Sequence, residues 1–111
     1  MAEFGIAAVL MLCLVLWYQH YWHNFERRTA LLRLGPLIKW FEYNGAECLE
    51  YNILQAEHAM RLLEKCQART PDFVAYDEIV ELADYGFAYD TTISLGANIV
   101  RMRAILTALK G

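Results

Sequence analysis

Residues 4–18, FGIAAVLMLCLVLWY, carry no charge and no strongly polar side chain. A run of this kind must be hidden from water, in lipid or in a core, and a 111-residue chain has room for one small core only. Fifteen residues fall short of the ~20 that a membrane span uses. Extension to Trp22 gives about 28 Å of helix, matching a hydrocarbon layer of about 30 Å. The extension admits only Gln19 and His20 as polar residues, and both fall where lipid headgroups begin.

The flanks favour lipid. Trp17, Tyr18, Tyr21, Trp22 and Phe25 make the aromatic belt that settles at a membrane surface. Arg27 and Arg28 follow at once, with Arg33 and Lys39 behind them. Basic residues stay on the cytoplasmic side, so Met1–Glu3 is expected outside and the remainder inside. A cleaved signal peptide fits poorly, because Glu3 stands where a basic region belongs and bulky residues replace a small-residue cleavage site. A buried helix of a soluble protein is the remaining rival.

Hydrophobic residues make up 58% of the chain, and residues 4–18 account for the excess. Charge is also uneven. Four bases oppose two acids up to Lys39, whereas eleven acids oppose six bases from Trp40 onward. An acidic body without a basic stripe argues against nucleic-acid partners. Cys13, Cys48 and Cys66 form no disulfide framework, since Cys48 and Cys66 would lie about 27 Å apart on one helix. Free thiols in a reducing compartment are expected.

His20 and His23 are the weak candidates for holding a metal or haem. With Glu26 they are spaced i, i+3, i+6 and wind around the helix without sharing one tight face. Only His58 could add a further imidazole. Imidazoles at headgroup depth, keeping their polar tips wet, are the better account, so no cofactor and no metal is expected.

The rest of the chain reads as helices. Gly35-Pro36 should end the first one, and PLIKWFEY should form a short helix lying either in the membrane interface or over a small core. Asn44-Gly45 signals a turn. Residues 46–69 give the clearest helix, with Leu49, Ile53, Ala56, Met60 and Leu63 as its seam and Glu57 placed to pair with Arg61. Its carboxylates lack the Glu-x-x-His pairs of a di-iron site and read as a solvated face. Thr70-Pro71-Asp72 should start the next helix, with Phe73, Tyr76, Val80, Ala83 and Phe87 on one face and Asp77, Glu81 and Asp84 opposite. Those three acids are candidates for docking a basic partner.

Gly86 should close that helix, and Asp90 or Thr91 should cap the last. There Leu95, Ile99, Met102, Leu106 and Leu109 form one apolar stripe. Ile93, Ala97, Val100, Ala104 and Ala108 form a second on nearly the opposite side, so this helix is expected to be buried on two sides. The second stripe covers either a compact bundle or a partner, which makes Ala97, Val100, Ala104 and Ala108 candidate partner contacts. No internal repeat, phosphate loop, nucleophile elbow or CxxC motif is evident.

The expected fold is all-α: an N-terminal transmembrane helix (1–34), a short juxtamembrane helix and turn (35–45), and a helical bundle (46–111) of three to four helices with its neighbour. The expected role is a non-enzymatic, single-pass structural subunit of a larger membrane assembly, with lipid and other protein subunits as partners. Such an assembly could be an energy-transducing complex, a secretion machine or a membrane-containing virion. A small self-associating pore or lysis-type protein, or a subunit with a histidine-ligated metal or haem, are the alternatives.

Overall fold

A computed structural model describes the backbone from Ala2 and the side chains from Gly5 onward. Met1 and the side chains of Ala2, Glu3 and Phe4, where the tail and the start of the span are expected, lie outside the described residues. The described residues form four α-helices: α1 (Ala2–Leu34), α2 (Leu49–Arg69), α3 (Tyr76–Asp84) and α4 (Leu95–Lys110). No strand occurs among them.

Helix α1 is one unbroken rod of 33 residues. Gly35 stops it by adopting φ +53°, a conformation that glycine alone takes without steric cost. A 3-10 turn, Gly35–Lys39, follows, with Pro36 in its first turn. It leads into Phe41, which is buried in the core. PLIKWFEY is therefore not one helix: only Gly35–Lys39 turns helically, Leu37, Trp40 and Phe41 pack on the core, and Ile38 stays exposed.

Only the last third of α1 packs on the bundle. Ala30 and Leu34 are fully buried, and the Arg33 guanidinium donates to the Ala108 and Leu109 carbonyls at 2.7 and 3.0 Å. Those carbonyls lack intrahelical partners at the end of α4, and a cation beside them also complements the helix dipole. The core proper lies between α2 and α4. Ala56, Ala59, Met60, Leu63 and Cys66 face Leu95, Ile99, Met102, Ile105 and Leu109. The periodicity of α2 identifies three of its buried positions (Ala56, Met60 and Leu63), and Leu49 and Ile53 pack at the edge.

Three element starts differ from expectation. Helix α2 begins at Leu49 because the Asn52 side chain holds residues 44–48 as a loop, accepting from the Asn44 N–H and donating to the Asn44 and Cys48 carbonyls. Helix α3 begins at Tyr76 and not after Thr70. Thr70 is instead the extended residue that ends α2, and the Asp72 carboxylate accepts from the Leu95 N–H at the start of α4. Gly86, at φ +91°, closes α3 as expected, whereas the cap of α4 is Ser94, which accepts from the Ala97 N–H.

The structure also reveals an internal repeat, contrary to expectation. Asn98 makes the same three bonds as Asn52, now to Asp90 and Ser94. Asn44 and Asp90 each accept, through the side chain, from the N–H two residues on. Phe41 and Phe87 pair in an antiparallel bridge, with Glu42 N–H donating to Gly86 and Ala88 N–H to Trp40, both at 2.8 Å. Each bond maps onto its counterpart when the halves are exchanged. Phe41, Tyr43, Leu49, Asn52 and Ile53 recur as Phe87, Tyr89, Leu95, Asn98 and Ile99. These identities are dispersed among unlike neighbours and stand out only once their hydrogen bonds are seen.

Candidate functional site

From Ile6 to Trp22 every large hydrophobic side chain of α1 is between 49% and 68% exposed, on all sides of the helix. The later helices therefore do not enclose Leu10–Leu16, and this stretch is no part of the bundle's core. It belongs to a helix long and apolar enough to cross a membrane. At its lower end Trp17 stacks on Tyr21 and Trp22 on Phe25, with ring centroids 5.7 and 5.5 Å apart. Tyr18 is as exposed as these neighbours. Arg28 is exposed one turn further on, while Arg27 is half-buried beside Gly45.

The two histidines do different things. His20 receives a hydrogen bond from the Asn24 amide at 3.0 Å. His23 lies 2.8 Å from the Gly45 carbonyl, and since a carbonyl only accepts, its Nε2 carries the proton. That bond ties the rim of α1 to the loop before α2. His58 bonds neither of them and stacks on Tyr85 at 5.3 Å. No metal-binding group of three or more His, Cys, Asp or Glu side chains exists among the described residues.

The faces expected to meet partners fare unequally. Asp77, Glu81 and Asp84 are all exposed, as read from the sequence. The apolar face assigned opposite them is not the buried one. Phe73, Tyr76 and Val80 are 57%, 82% and 44% exposed, while Leu82 and Glu78 turn inward. The late start of α3 shortens it to nine residues, and Phe73 and Phe87 fall outside it. On α4 the first stripe is the core face. The second is not covered: Val100 and Ala104 are exposed, and Ala97 and Ala108 half-buried. The bundle thus buries α4 on one side, not two.

Glu78 is the functional-looking group that helical periodicity could not find. Its carboxylate accepts from both Arg69 Nη atoms at 2.7 and 3.1 Å, from the Cys66 thiol at 3.0 Å, and from the Ala75 N–H at 3.0 Å. The last bond is half of a capping box, since Ala75 has no side-chain oxygen to return it. Hydrogen bonds from Arg69, then Cys66, then Ala75 hold its pKa down at about 2. Burial, followed by the bond to Glu78, pushes the Cys66 thiol up to about 11. Held ionised, the Glu78 carboxyl is no general acid at neutral pH, and held protonated, the Cys66 thiol is no thiolate nucleophile.

Cys13, Cys48 and Cys66 are all unpaired thiols. On the opposite half, Asp90 is held below the usual carboxylate range by Thr92 and then Arg101. Arg101 Nη1 lies 3.2 Å from Asp90 Oδ2, and its guanidinium carbon sits 3.7 Å over the Trp40 ring. No protein-family model, curated protein or solved structure matches this chain. Its role rests on its own side chains.

Proposed function

We propose that the chain is a single-pass membrane protein whose helical body serves as a non-enzymatic structural subunit of a larger membrane assembly. The observation that carries this reading is the apolar half of α1, exposed on every side and bounded by stacked aromatics and arginine. Exposed apolar surface costs roughly 25 cal/mol per Å² in water, and lipid removes that cost. Sidedness follows from the basic residues: the N-terminus lies outside, and residues 35–111 lie on the cytoplasmic side. The subunit role is supported by the uncovered Val100–Ala104 face of α4, where small side chains permit close helix approach, and by the exposed acids of α3.

Alkaline carbonate extraction is the first test. The protein should stay with the membrane pellet, and release into the supernatant would end the tether. Cys48 is exposed and reports sidedness. A bulky maleimide added outside intact cells should label it only after permeabilisation; labelling beforehand would reverse the orientation. Mild-detergent purification should recover larger, unrelated proteins in fixed ratio, whereas a pure homo-oligomer would favour a self-associating pore.

A further inference from the structure

Offsetting the sequence by 46 residues superposes the two loops, and it also superposes what lies beside them. In the second half, the crevice between loop and helix is filled by Arg101, whose guanidinium lies on Trp40 and pairs with Asp90. The equivalents of these residues in the first half are Gln55 for Arg101, Gly86 for Trp40 and Asn44 for Asp90. Both the cation and the ring are missing there, and an open pocket of about 370 Å³ takes their place, lined by Gln55, Gly86 and Asn44 together with other residues.

The remaining lining supplies the complement of a cation. Tyr43, Tyr51 and Tyr85 are aromatic walls, and Glu42 and Asp84 are carboxylates standing where the other half has Ala88 and Ile38. No lysine or arginine lines the pocket, and neither carboxylate joins an ion pair among the described residues. We propose that this pocket receives an arginine side chain of a protein partner, its guanidinium held by Glu42 and Asp84 against the tyrosine walls as Arg101 is held by Asp90 and Trp40. Arginine suits it better than lysine because a planar, weakly hydrated guanidinium stacks on a ring and pairs with carboxylates at the same time. The inference rests on the subunit role only for the arginine belonging to a protein; the pocket itself is independent of the membrane.

The test uses the whole chain in detergent micelles, isotope-labelled and titrated with acetyl-Gly-Arg-Gly-amide. The amide resonances of Gly45, Gln55 and Gly86 should shift saturably. The isosteric citrulline peptide, which lacks the charge, should bind at least tenfold more weakly, as should choline, the cation of a lipid headgroup. Gln55→Arg rebuilds the plug of the other half, so it should abolish the response while leaving resonances elsewhere unchanged. Should that variant misfold, Glu42→Gln with Asp84→Asn decides the matter through a several-fold loss. Absent saturation, an equal response to citrulline or choline, or undiminished binding by the variants would overturn the proposal. Because free peptide is the probe, failure here is distinct from failure to recover partners from membranes.

Discussion

At the scale of single residues, the arrangement most open to test is the carboxylate of Glu78. Four donors converge on it, so replacing it with glutamine removes charge-assisted bonds and should cost about 2 kcal/mol of stability, measured by denaturant unfolding. Its pKa is depressed from an ordinary 4.5 to about 2 in the folded protein. The stability it contributes is therefore complete above pH 4.5 and is lost as pH falls from there towards 2. Cys66 acts in the opposite sense: its pKa rises from 9.0 to about 11, so its contribution is complete below pH 9 and is lost on the way to 11. Unfolding free energy should fall at both ends of that range, and Glu78→Gln should flatten the acid limb. None of this is legible in the sequence. Glu78 sits beside Asp77 and Glu81 in an acidic run, and only the late start of α3 turns it inward towards Cys66 and Arg69.

At the scale of elements, α2 and α4 are legible in kind because their packing follows their apolar spacing, and α1 because its apolar run is unbroken. The Leu63 side chain is fully buried between α2 and α4, and Leu63→Ala should destabilise the bundle by about 2–5 kcal/mol, seen as an early denaturation midpoint. Thr70-Pro71-Asp72 carries the cap, proline and acid of a helix start, yet α3 begins only at Tyr76. Tertiary bonds override those marks: Thr70 closes α2, and Asp72 reaches across to Leu95. The two asparagine-anchored loops are hidden for a similar reason, since an asparagine inside a helix looks unremarkable until its side chain is seen holding the preceding turn. Asn52 and Asn98 are nearly inaccessible, and Asn98→Leu should lower the melting temperature by leaving the Asp90 N–H without its acceptor and the Asp90 and Ser94 carbonyls each with one donor fewer. On α4, Ala104→Glu touches only an exposed position; it should leave the melting temperature unchanged and abolish co-purification of the proposed partner subunits.

At the scale of the whole molecule, the extents of 70 × 24 × 17 Å describe a rod with a small body along one end. Membrane association and folding should therefore separate. Leu10→Arg with Leu14→Arg places two charges in the proposed span at about 2.5–3.5 kcal/mol each, which should move the chain to the soluble or aggregated fraction. Thermal unfolding of the body should be unaltered, because neither side chain reaches it. The body begins almost where the aromatic rim ends: His23, one residue after Trp22, already bonds the Gly45 carbonyl, and Arg33 grips the end of α4. No loop separates the rod from what it carries. On the proposed membrane role, α1 dictates azimuth as well as depth, and each residue added between Tyr18 and Gln19 would swing the Val100–Ala104 surface by about 100° about the helix axis, like a signpost turned on its pole.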